Sequence, residues 1–195
     1  MTESNWRRSI SVRFTVPVAR ALAHTPVTPN FITWLGFVLT CGAAALVAGG
    51  SLLWGGVVML AAGLMDTFDG ALARQTGRVS RFGAVLDSTL DRFSEGVILI
   101  ALTYYFAQNG NSGGATLAAA TLLLSLSVSY IRARAEGMGV TCSEGWFTRT
   151  ERVVVIALGL LFNQAIIALA VVSALSLLTA AQRLFVTWRR LSQPK

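Results

Sequence analysis

The chain has 195 residues, a length for one domain, of which 54% are hydrophobic and only 13% charged. With a mean hydropathy of +0.62, that balance excludes an ordinary soluble globule. The net charge of +7 accompanies long uncharged runs, so the expected partner is membrane lipid, and no nucleic acid is expected.

Residues 1–24 carry Arg7, Arg8, Arg13 and Arg20, with Trp6, Ile10 and Phe14 four apart. One apolar stripe with arginines around it is the pattern of a short amphipathic helix lying in the membrane interface. A frayed basic tail is the plain alternative. The segment contains no apolar signal-peptide core. Pro26 and Pro29 end that helix, and Thr28-Pro29-Asn30 offers a cap and an early proline to start the next one.

Six crossings are expected, near 31–50, 52–74, 83–107, 114–136, 148–163 and 164–188. The first follows from its length: 31–50 is twenty residues without a charge, enough for a hydrocarbon core of about 30 Å. The last two require one long apolar stretch to be divided at Asn163-Gln164. The turns near 49–51, 108–114 and 163–164 contain no Lys or Arg. All sixteen of those residues lie on the opposite side, or on helix ends approaching it. By the positive-inside rule both termini are cytoplasmic and the number of crossings is even. The expected fold is all-α and integral to the cell membrane. It divides into an interfacial N-terminal segment (1–30), six transmembrane helices (31–190) and a cytoplasmic tail (191–195). Cys41 and Cys142 have no metal-ligand spacing and read as small buried residues.

Within this apolar chain, residues 66–91 hold four aspartates in two pairs, Asp66 with Asp69 and Asp87 with Asp91. Spacings of three and four place each pair on one helix face. Asp66 lies about 21 Å along its crossing from the outer end, while Asp87 and Asp91 lie about 6 and 12 Å from the inner end of theirs. All four carboxylates therefore meet at one level, just inside the cytoplasmic interface. Carboxylates are costly in hydrocarbon and mark a functional site there. Four like charges cannot share a dry pocket unless they are protonated or held by cations. Oxygen-only donors favour Mg²⁺ or Mn²⁺, and two such ions would clamp a phosphate undergoing displacement. Gly70 leaves room for a nucleotide beside Asp69, and Arg74, one turn on, can bond a phosphate. The rival reading, a cation or proton path through a transporter, predicts acids spread through the depth of the membrane. Only Glu95 extends further in; Arg92 is the charge expected to balance it, and the sequence gives it no other role.

The full spacing, D-x2-D-G-x2-A-R-x8-G-x3-D-x3-D, resembles the motif of the CDP-alcohol phosphotransferases, integral membrane enzymes of phospholipid synthesis. Every fixed position matches. The resemblance implies that CDP-diacylglycerol donates its phosphatidyl group to an alcohol and releases CMP. It implies that Asp66, Asp69 and Asp87 bind metal, and that Asp91 binds metal and takes the acceptor's proton. It assigns Pro29, Asn30, Phe31, Ile32, Gly70, Arg74 and Ser80 to the CDP-lipid, and it implies a homodimer. The stretches Tyr130–Glu136, Arg149–Arg152 and Gln182–Leu184 are similar to the bacterial phosphatidylinositol-phosphate synthases. That likeness implies an anionic acceptor, inositol phosphate, held by Arg132, Arg134, Arg152 and Arg183. Glycerol phosphate, used by phosphatidylglycerophosphate synthases, is the competing acceptor. The plain alternative is that these arginines snorkel to headgroups as anchors. Arg132 and Arg134, two apart on a helix, do not face the same way.

Overall fold

The computed structural model describes residues 27–142, 145 and 147–192. The interfacial helix expected over 1–24 lies outside the described residues. Six helices follow in order: α1 (Pro29–Ala48), α2 (Leu52–Gln75), α3 (Arg81–Gln108), α4 (Ser112–Gly137), α5 (Arg149–Leu161) and α6 (Ala165–Leu191). No strand occurs among the described residues.

The helices start where the sequence supplies caps for their unpaired N–H groups. The Thr28 hydroxyl accepts from the Phe31 N–H at 3.3 Å, and Pro29 occupies the first turn of α1, where its missing N–H costs nothing. The Ser80 hydroxyl accepts from Gly83 N–H at 2.9 Å to open α3. Asn111 Oδ1 accepts from Gly114 N–H at 2.8 Å to open α4. At α5 the Glu151 carboxylate reaches back to the Thr148 N–H at 2.9 Å. The long apolar stretch divides at Asn163, whose φ of 56° is a left-handed turn that asparagine tolerates. Just before it, a methyl group on Gly159 would sit 2.3 Å from the Ala168 Cβ. Only glycine lets α5 and α6 approach this closely behind the turn.

Four of the helices, α1, α2, α4 and α6, are long and apolar enough to cross a membrane. α3 has the length, 28 residues, but Asp87, Asp91, Arg92 and Glu95 interrupt it. α5 has 13 residues, short of the roughly 20 a full crossing needs. An all-helical chain with four such spans fits an integral membrane protein. Its outer surface agrees, since Val38, Leu53, Ile100, Leu123, Ile167 and Leu178 all face outward. Lipid tails solvate such side chains as readily as a protein core does.

Each helix packs against two others, in the closed order α1–α2–α5–α6–α4–α3 and back to α1. The ring is filled unevenly. Val47, Met59, Leu99, Leu102, Ile156, Leu160 and Leu169 form the apolar core, gathered in the half bounded by the turns at 49–51, 109–111 and 162–164. Buried hydroxyls in the walls bond the helix backbone: Thr40 donates to Gly36 O at 2.9 Å. Thr121 donates to Leu117 O at 2.7 Å and also stands 2.7 Å from Ser173 Oγ, joining α4 to α6. The other half of the ring is where the charged side chains enter.

Candidate active site

α2 and α3 bring the four aspartates into that half. Asp69 is the most buried, at 5% exposure, and its Oδ2 accepts from the Thr33 hydroxyl of α1 at 2.7 Å. Asp66 and Asp91 are joined by a residue to which the sequence reading gave no site role. Arg149, the first residue of α5, places Nη1 2.8 Å from Asp66 Oδ2 and 2.5 Å from Asp91 Oδ1. One guanidinium thus ties α2, α3 and α5 together and offsets part of the cluster's charge. Among the described residues no three acidic, His or Cys side chains close around a single point as metal ligands. The donor chemistry still fits hard divalent cations, because every candidate donor is a carboxylate oxygen and Arg149 already marks Asp66 and Asp91 as a cation's place.

Three cavities of about 330 Å³ or more are lined by these carboxylates. The first, about 330 Å³, is lined by Asp69 and Asp87 together with Pro29, Asn30, Gly70, Arg74 and Ser80. Those last five are residues that the family resemblance gave to the CDP-lipid. Gly83 also lines it, and a Cβ there would lie 2.9 Å from Ser80 Oγ and 3.2 Å from Asn30 Oδ1, so the starts of α1 and α3 meet beside it. Phe31 and Ile32 do not line it: Phe31 faces outward and Ile32 is buried against other helices. Thr33, Arg78 and Val79 do, and nothing in their spacing had signalled it.

The second cavity, about 460 Å³, lies on the other side of Asp91. Its charged lining is five arginines, 92, 132, 149, 152 and 183, against three acids, Asp91, Glu95 and Glu136. The excess of positive charge makes it a pocket for an anion. Of the four arginines expected to hold an acceptor, Arg132, Arg152 and Arg183 line this pocket, while Arg134 is exposed and does not line it. Arg132 Nε donates to Glu136 at 2.8 Å. Arg183 is buried and donates through Nη1 to Val128 O at 2.7 Å. Arg152 is fully buried against Glu95, so the charge that balances Glu95 comes from α5 and not from Arg92, which donates instead to Ser88 O. A partial signal for the Glu95–Arg152 pair was present in the spacing. Acids at 91 and 95 form one stripe of α3 and arginines at 149 and 152 one stripe of α5, which signals charge pairing between the two helices but not which arginine meets which acid. A third cavity, about 330 Å³, opens between Leu64 of α2 and Val154 of α5 and reaches Asp66, Asp87 and Asp91.

The family model for CDP-alcohol phosphatidyltransferase matches residues 26–187. An archaetidylinositol phosphate synthase of Methanothermobacter thermautotrophicus is 38% identical over 193 residues, covering 96% of this chain and 95% of that protein. The phosphatidylinositol phosphate synthase of Mycobacterium tuberculosis, in its crystal structure with CDP-DAG bound, superposes with a TM-score of 0.83. The identity there is 32%, over 90% of this chain and 94% of that one. The same synthase in complex with manganese and citrate also gives 0.83 at 32% identity, over 89% of this chain and 88% of that one.

Proposed function

This chain belongs to the CDP-alcohol phosphatidyltransferase family, and from that premise we propose that it transfers the phosphatidyl group of CDP-diacylglycerol to inositol phosphate, releasing CMP. The observation that carries the acceptor is the arginine-rich pocket on the far side of Asp91 from the Gly70 cavity. The chain's likeness to an archaetidylinositol phosphate synthase and a phosphatidylinositol phosphate synthase supports it. The donor's cytidine and pyrophosphate take the first cavity, against Gly70 and Arg74. The acceptor takes the second, its phosphate among Arg132, Arg152 and Arg183.

Divalent ions held by Asp66, Asp69, Asp87 and Asp91, two in number, would polarise the phosphoryl oxygens and neutralise charge on the departing CMP. A similar synthase crystallised with manganese supports such ions. The rest is done by this chain's side chains. Asp91 borders the acceptor pocket and takes the hydroxyl proton. The hydroxyl oxygen bonds to the lipid-bearing phosphorus, and that phosphorus loses its bond to the CMP oxygen. Thr33 holds Asp69 in place from α1.

The test is CMP release by the purified protein given CDP-diacylglycerol with inositol phosphate, glycerol phosphate, inositol or serine. Inositol phosphate should give the highest kcat/KM. Uncharged inositol should fall below it by roughly tenfold or more, the worth of one charge-assisted contact. Serine or inositol outperforming both phosphorylated alcohols would overturn the anionic acceptor.

The same reading includes six crossings, an interfacial helix ahead of them, cytoplasmic termini and active site, and a homodimer. α3 is long enough to cross, and the short α5 begins at the aspartates, so its 13 residues, about 20 Å, need only reach from that level to the outer turn. Single cysteines near residue 111 should react with impermeant reagents from outside the cell, and those near 78 or 190 should not. The reverse pattern, or one terminus on each side, would sink this topology.

A further inference from the structure

Glu95 and Arg152 form an ion pair in the middle of the helix ring. Their exposures are 3% and 1%, and the contact is two-pronged, Nε to Oε1 at 2.5 Å and Nη2 to Oε2 at 2.8 Å. α3 and α5 are not neighbours in the ring, so the arginine reaches across its interior. Burying such a pair is costly, and an apolar pair of similar volume often serves stability as well or better. Helix adhesion alone is therefore a poor account of it.

The third nitrogen gives a better one. Arg152 Nη1 is buried and has no hydrogen-bond partner, and Arg152 lines the arginine-rich pocket. An unmet buried donor is destabilising, which is tolerable where a ligand completes it. Because the guanidinium is planar and rigid, fixing Nε and Nη2 on Glu95 also fixes where Nη1 points. Glu95 lies one turn beyond Asp91 on the same face of α3, a rise of about 6 Å. The same helix therefore carries the proton acceptor and, through Glu95, the anion-binding donor.

We propose that Glu95 is a positioning residue: it holds Arg152 so that Nη1 meets the anionic group of the acceptor, and registers that group against Asp91. This rests on the anionic-acceptor reading above. A phosphorylated alcohol in place of a neutral one then gives that buried nitrogen the partner it lacks. Glu95 thereby acts as a determinant of acceptor specificity without touching the acceptor.

The experiment is steady-state kinetics of the full-length protein, varying inositol phosphate and CDP-diacylglycerol separately. Glu95→Gln leaves a lone buried guanidinium and risks misfolding, so Glu95→Asp, which keeps the charge but withdraws the carboxylate, carries the single-variant test. It should raise the acceptor KM roughly tenfold and leave the donor KM where it was. In an Arg152→Met background, where no buried cation is stranded, Glu95→Gln should cause no further rise, because the two act as one unit. An unmoved acceptor KM in Glu95→Asp, an equal loss on both substrates, or effects that multiply in the double variant would each overturn the proposal. Wild-type protein that releases CMP with neither phosphorylated alcohol overturns the acceptor reading and this proposal together. A working wild type with an indifferent Glu95→Asp overturns the role of Glu95 alone.

Discussion

Asp91→Asn should cut turnover by roughly 10²- to 10⁴-fold, the range that general-base catalysis supplies, while CDP-diacylglycerol binding persists. The substitution keeps the shape and one coordinating oxygen and removes the basic carboxylate. The expectation follows from where each carboxylate faces. Asp69 and Asp87 line the cavity with Gly70 and Arg74, whereas Asp91 lines the arginine-rich pocket where the attacking hydroxyl arrives. A donor-site residue should show the opposite division: Arg74→Ala would raise the donor KM first. CMP release by Asp91→Asn within a few-fold of wild type would remove Asp91 from the proton-accepting role. Loss of CDP-lipid binding, measured by titration, would instead make it chiefly a structural or metal ligand.

The helices were legible because apolar runs and caps announce them. The expected 52–74 and 164–188 are Leu52–Gln75 and Ala165–Leu191, and Asn163 divides the final stretch at the one point where a left-handed residue fits. What α3 and α5 are was less legible. Both were expected to cross, yet α3 loses hydropathy to Asp87, Asp91, Arg92 and Glu95, and α5 is 13 residues long. The reason is that the site itself occupies these two helices, replacing apolar side chains with charges. The cluster of aspartates could be seen in the sequence because helix periodicity alone brings Asp66 beside Asp69 and Asp87 beside Asp91. Arg149 could not be placed, because its bonds to Asp66 and Asp91 depend on α5 packing on α2. That is a tertiary fact with no local period. Arg132 and Arg134 are the simplest case: two apart on α4, only the first reaches the pocket.

Removing divalent ions with a chelator should abolish CMP release, and Mg²⁺ or Mn²⁺ should restore it. An ion stabilising charge on a phosphoryl group contributes several kcal/mol, and at 1.36 kcal/mol per decade that is a loss of roughly a thousandfold or more. The chelated protein should nevertheless stay folded. The repulsion among its four carboxylates is already partly relieved by Arg149 on Asp66 and Asp91 and by the Thr33 hydroxyl on Asp69. The two measurements are therefore made together: CMP release falls to background while the thermal unfolding transition remains. Full activity in excess chelator would end the metal-assisted mechanism. Unfolding on chelation would show that the ions, rather than Arg149 and Thr33, hold α2 and α3 together at the site. The arginine bridge would then be too weak to stand in for them.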